Sequence, residues 1–284
     1  MSSTVTAAAT EARPRYGLGF EPLEQETTIE RLELDGSLPA WLSGTLLRNG
    51  PARFDVGDSS LNHWFDGLAM LHRFSFDEGE VSYANRFLRS RAWHASEEEG
   101  AISYREFASD PCRSFFSRVA TMFAPEASGS GTDNANVNIT RFGDRFVALT
   151  EVPLPIEFDP VTLETAGVVD YEKKVKGVFT TAHPHQDPVT GELVNYMLHL
   201  GPRSFYRVYS QAPGSTRQRQ IAAIPVRRPA YMHSFAITER YIVLAEFPFT
   251  FNPIAMALSG RPFIENYHWK PERGTRFVVV DKAA

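Results

Sequence analysis

One cysteine, Cys112, occurs in 284 residues. A lone thiol builds neither a disulfide framework nor a cysteine-ligated zinc site, and such sparing use fits a reducing, cytoplasmic setting. Positive charge is also scarce. With 29 Lys and Arg against 34 Asp and Glu, the net charge is −5, which argues against a nucleic-acid binder. Long apolar runs are missing as well: the longest uncharged stretch, Phe247 to Gly260, is interrupted by Pro248 and Pro253 and is shorter than the ~20 residues a membrane-spanning helix needs. Residues 1–15 are rich in Ser, Thr and Ala, lack the apolar centre of a signal peptide, and are expected to form a disordered tail. Segments with a helical hydrophobic period are few, which turns the reading toward β structure.

What the chain does have is aromatic and apolar material: 21 Phe, 10 Tyr and 4 Trp within a 43% hydrophobic composition, ample for a core. Hairpin patterns recur along it. Phe74 to Tyr83 alternates around Glu78-Gly79, and Ile139 to Glu151 around Gly143-Asp144. Asp159 to Gly167, Asp187 to Leu193, and Ser234 to Phe247 follow the same grammar. Meandering hairpins at roughly even spacing predict an all-β fold, a propeller or a sandwich; no residue-level repeat sets a blade number. One segment departs from this. Phe115, Phe116, Val119, Met122 and Phe123 fall on one face of a helix, with Arg113 and Arg118 off it. Such a short amphipathic helix suits either packing on the core or dipping into the surface of a bilayer.

The stretch Thr181-Ala182-His183-Pro184-His185-Gln186-Asp187-Pro188 holds a histidine at the end of a strand-like run, against a proline, before a tight turn. A rigid strand end is a good mount for a metal ligand, and equally for a capping histidine.

Nine blocks in order carry more: LSGTLLRNGPARF, NHWFDGLAMLHRFSF, VSYANRF, TDNANVNI, ALTE, DPVTLETAG, TTAHPHQDP, YMHSFAITERYIVLAEFPF and WKPERGTRF. From about residue 17 to about 281 this order resembles the carotenoid cleavage oxygenase family, and TDNANVNI, AHPHQD and MHSFAITE look most like its β-carotene oxygenase branch, which includes retinoid-forming enzymes. The resemblance implies a seven-bladed β-propeller. It implies an Fe(II) ion on the axis, held by four histidines with three glutamates behind them, and oxidative cleavage of a polyene double bond by O2 to two carbonyl products. By motif, His183 in Ala-His-Pro and His233 in Met-His-Ser match two of the ligands, and Glu151 in Ala-Leu-Thr-Glu matches the glutamate expected behind His233. Neutral imidazoles suit Fe(II) and leave positions open for O2, and a carboxylate on the far ring nitrogen sets the tautomer. The parity of Glu151 with Val147 and Leu149 turns it inward, where a carboxylate needs a partner.

The family's later histidine blocks have no counterpart here, so residues 16–284 are expected to form the N-terminal part of the ring, a truncated chain whose activity stands in question. Phe249 and Phe251 are candidates for the lining of an apolar tunnel; the helix bearing Phe115, Phe116, Val119 and Met122 is the candidate for peripheral membrane contact. His63 reads as a structural turn residue and His185 as a surface or supporting one, while His72, His94, His199 and His268 lack motif support. Arg48 and Asp66 are expected to form a buried pair that locks the first blade, and Glu246 to be structural. Two rival functions stand beside the dioxygenase: a non-catalytic relic that binds apolar isoprenoids, and a metal-dependent hydrolase, which would call for carboxylate-rich ligation.

Overall fold

The computed structural model describes residues 15–111 and 131–283. The helix expected around Phe115 to Met122 lies outside them, as does the N-terminal tail up to residue 14. Four antiparallel sheets follow one another along the chain. The first is built from β1 (Thr27–Ile29), β2 (Gly44–Arg53), β5 (Leu68–Asp77) and β6 (Glu80–Phe87), with a small ribbon, β3 (Asp55–Val56) and β4 (Ser59–Ser60), beside it. The second is the meander β7 (Asn138–Phe142), β8 (Arg145–Leu149), β9 (Ile156–Phe158) and β10 (Thr165–Val168). The third contains β11 (Phe179–Thr180), β12 (His185–Gln186), β13 (Leu193–His199), β14 (Ser204–Gln211) and β15 (Gln218–Val226). The fourth holds β16 (Ala236–Ile237), β17 (Tyr241–Glu246) and β20 (Arg276–Asp281), between which β18 (Phe249–Thr250) and β19 (His268–Trp269) make a separate pair.

All five hairpins expected from the pattern are present. Asp77 pairs with Glu80 across Glu78 (φ 47°) and Gly79 (φ 84°), the two positive φ values that match a tight turn to strand twist. Phe142 pairs with Arg145, Phe158 with Thr165, Gln186 with Leu193, and Ile237 with Ile242.

The cores lie between successive sheets, and strand alternation decides which side chain enters which. On β8, Val147 and Leu149 join Phe142, Val169 and Ala182 toward the third sheet. Ala148 faces the other way, into a cluster with Ala69, Leu71, Ile156 and Phe158 shared with the first sheet. Between the third and fourth sheets, Val194, Tyr196, Leu198, Tyr206 and Val208 pack on Met232, Phe235, Ile242 and Leu244. Strands buried on both faces need such a two-sided apolar code, and sheet stacked face to face on sheet is the plan of a β-propeller.

Helices are short. α1 (Arg91–Glu99) starts at Ser90, whose side chain accepts the Trp93 amide, and buried Asp133 accepts the Arg91 and Ala92 amides at 3.0 and 3.1 Å. α2 (Pro253–Ser259) has Asn252 as its cap and Pro at its first position. No helix among the described residues is long and apolar enough to cross a membrane.

Candidate metal centre

Polar side chains stitch the inner edges of the four sheets together. The Asn49 amide donates to the carbonyls of Ala135 (2.6 Å) and Asn138 (3.3 Å). Asn138 donates in turn to Ala182 (2.8 Å), and the Thr181 hydroxyl to the carbonyl of His233. The block Asp133-Asn134-Ala135-Asn136 works as a clamp on the first sheet's turn: Asn134 donates to Asp66 and Gly67 carbonyls, and Asn136 to those of Phe65 and Gly67. Asp66 does not pair with Arg48. Its carboxylate is buried and accepts the Ala108 amide at 3.0 Å and the Ser109 hydroxyl at 2.7 Å, because two neutral donors were already within reach and spare the cost of burying a guanidinium.

Along this inner edge His183 and His233 converge. His183 follows β11, and its amide is held by the Thr181 side chain at 3.0 Å. His233 sits at a bend three residues before β16, its ring lying alongside that of Tyr231 with centroids 6.2 Å apart. The two Nε2 atoms stand 3.0 Å apart across a sequence separation of 50. Glu151, just past β8, accepts from His233 Nδ1 at 2.7 Å, so the proton sits on Nδ1 and the Nε2 lone pair faces His183. The Glu151 hydrogen bond raises the His233 pKa, against burial, which lowers it. Burial lowers the His183 pKa, and His233 and His185 lower it further. Phe65 stacks on the His233 ring with centroids 5.9 Å apart and planes 5° apart.

This donor set suits a first-row divalent cation. Two nitrogens about 2.1 Å from one ion at a right angle are roughly 3 Å apart, the spacing found, and the carboxylate behind one ring is the usual way of orienting such a ligand. Among the described residues no third His, Cys, Asp or Glu joins the pair in a metal-holding group.

The other sequence candidates fall as follows. His185 turns away and bonds the Phe235 carbonyl at 2.9 Å. His63 caps a short turn by accepting the Phe65 amide at 3.1 Å. His72 meets the Tyr83 hydroxyl at 2.9 Å. Glu246 pairs with Arg276. Phe249 is half-buried against Tyr231 and Tyr267, whereas Phe251 is 1% exposed, inside the core on Tyr267. Tyr231, Thr181 and Phe65 were not singled out from sequence. Tyr231 and Thr181 each sit two residues before a histidine, and that parity was the available signal.

Stacked meander sheets presenting imidazoles from their inner edge define a part of a histidine-bearing β-propeller. The family model described as retinal pigment epithelial membrane protein matches residues 20–284, so the chain belongs to that family, the carotenoid oxygenases. It is 39% identical over 247 residues to the β,β-carotene 15,15'-dioxygenase of Rattus norvegicus, covering 80% of this chain and 43% of the relative. It is 36% identical over 266 residues to the mitochondrial carotenoid-cleaving dioxygenase of Homo sapiens, covering 87% and 46%. The solved structure of cobalt-substituted Synechocystis apocarotenoid oxygenase, 28% identical, superposes with a TM-score of 0.77 over 94% of this chain and 56% of that one. The chain thus spans about half the length of the relatives it matches.

Proposed function

We propose that this chain carries part of the centre of a non-haem Fe(II) dioxygenase that cleaves a carbon–carbon double bond of a carotenoid or apocarotenoid with O2, giving two carbonyl products. The observation that carries the reading is the meeting of His183 Nε2 and His233 Nε2 at 3.0 Å with Glu151 behind His233. Fe(II) bound here supplies the activation of O2 that the organic groups of the chain lack. His183 and His233 are the residues that would hold it. Glu151 keeps the proton of His233 on Nδ1 and the donor atom free. Phe65, Phe107, Tyr231 and Phe249 give an apolar wall beside the imidazoles, fit to orient a polyene and to exclude water from it. Peripheral membrane contact belongs to the same reading, since a polyene partitions into lipid; Ile254 and Leu258 on α2, 73% and 69% exposed, support it.

The test is incubation of the protein with Fe(II) and β-carotene under O2, with chromatography for aldehydes, repeated with His183→Ala. Unchanged aldehyde yield in the variant would overturn the assignment. A second reading, a non-catalytic binder of apolar isoprenoids, is favoured by the presence of only two imidazoles in the centre among the described residues. It predicts quenching of protein fluorescence by the polyene without aldehyde formation.

A further inference from the structure

We propose that Tyr231 is a positioning residue: its hydroxyl pins Glu151 and thereby fixes the tautomer and orientation of the His233 ring. The metal arm of this inference rests on the reading of His233 as a donor; the ring geometry stands without it.

Glu151 lies beyond the last residue of β8, so its carboxylate is carried by a flexible side chain outside the ladder. One hydrogen bond from His233 would leave that carboxylate free to rotate about it. A second donor removes the freedom. The Tyr231 hydroxyl donates to the same oxygen, Glu151 Oε1, at 3.0 Å, and lies 3.4 Å from His233 Nδ1. Since both the hydroxyl and Nδ1–H donate toward Glu151, the 3.4 Å approach is the side of a triangle whose apex is the carboxylate oxygen.

The anchor is itself held firmly. Tyr231 N donates to the Phe249 carbonyl at 2.9 Å, tying the residue to β18. Its ring meets Tyr267 edge-on at 5.7 Å and 84°, Phe249 at 6.3 Å and 76°, and Phe107 at 6.0 Å and 63°, geometries that aromatic pairs favour. A tyrosine has two side-chain torsions to restrain where a glutamate has three, so packing it orders the carboxylate at lower entropic cost.

The competing explanation is that Glu151 merely satisfies a buried phenol. The two differ in what happens to His233. The experiment compares the 284-residue chain with Tyr231→Phe, Glu151→Gln and the double variant, first by long-range nitrogen–proton NMR of the imidazoles and then by Co2+ titration. In the wild type His233 should be a single Nδ1–H tautomer with a sharp downfield proton. In Tyr231→Phe that proton should broaden, the Nε2–H form should grow, and Co2+ affinity should fall about tenfold, the lower end of what loss of an outer partner costs a metal site. In the Glu151→Gln background the tyrosine substitution should add nothing. A His233 spectrum in Tyr231→Phe that overlays the wild type, or an equal loss in both backgrounds, would overturn the proposal. Absence of Co2+ binding by every protein, wild type included, counts against the metal reading alone, and the tautomer spectra still decide the role of Tyr231. Should Tyr231→Phe fail to fold, 3-fluorotyrosine at position 231, a stronger donor of the same shape, must shift the His233 Nδ1 proton; no shift refutes the pinning.

Discussion

The hydroxyl of Thr181 donates to the main-chain carbonyl of His233 and accepts the amide of His183 at 3.0 Å. One side chain therefore ties both imidazole-bearing segments, which come from different sheets, and holds their backbones in register. Thr181→Val keeps the shape and removes the hydroxyl, leaving two main-chain groups without their partner. The expected loss is about 1–3 kcal/mol of stability, read as a lower urea midpoint, together with weaker Co2+ binding. A midpoint equal to that of the wild type would show that the stitch contributes nothing.

Metal ligands must be deprotonated to bind. Because the Glu151 hydrogen bond raises His233 and burial lowers His183, His233 is the later of the two to lose its proton as pH rises. Co2+ affinity should therefore climb through the His233 value, above the ordinary imidazole pKa. Glu151→Gln should move that midpoint to lower pH while weakening the plateau. For folding alone the two rings act oppositely: the raised His233 contributes stability below its unfolded value that fades as pH rises through the folded one, and the lowered His183 opposes folding as pH falls through the ordinary imidazole range. Titrations of Co2+ absorption between pH 5.5 and 9 check this, and a midpoint indifferent to Glu151→Gln contradicts it.

Glu106 offers a test away from the imidazoles. Burial raises its carboxyl far above the usual range; the Thr132 hydroxyl, donating at 2.6 Å, opposes this, and Asp66 and Asp133 add to it. The native state then keeps a proton that the unfolded chain gives up, so stability declines as pH rises from the ordinary carboxylate range through the folded value. Glu106→Gln, neutral and of the same size, should gain on the wild type steadily from pH 5 to pH 8 in urea midpoint. A pH-independent difference between the two would refute the neutral buried acid.

Gly143 turns the β7–β8 hairpin at φ 67°, and a Cβ there would stand 2.5 Å from the Cα of Gly214 in the turn between β14 and β15. Gly143→Ala meets both the left-handed backbone penalty, about 1–2 kcal/mol, and backbone overlap with the neighbouring sheet. Calorimetry should show a lowered Tm. No substitution at Gly214 would rescue it, because the atoms in the way are the Gly214 backbone itself, its Cα at 2.5 Å and N at 2.8 Å.

Much of this was legible in the order of residues. Alternation around Glu78-Gly79 or Gly143-Asp144 dictates a hairpin, since only side chains of one parity reach the core and only certain residues take the turn. Parity also pointed Glu151 inward, and the histidine blocks named His183 and His233. Other features depended on which sheet lies next to which. The buried partner of Asp66 is an amide and a hydroxyl some 42 and 43 residues away rather than Arg48, and the phenol that reaches Glu151 comes from 80 residues further along. Local sequence sets which face a side chain takes, because strand period and turn stereochemistry act between neighbours. Which two faces meet, and so the 3.0 Å between two histidine nitrogens and the triangle of Tyr231, Glu151 and His233, was decided only when apolar burial stacked one sheet upon the next.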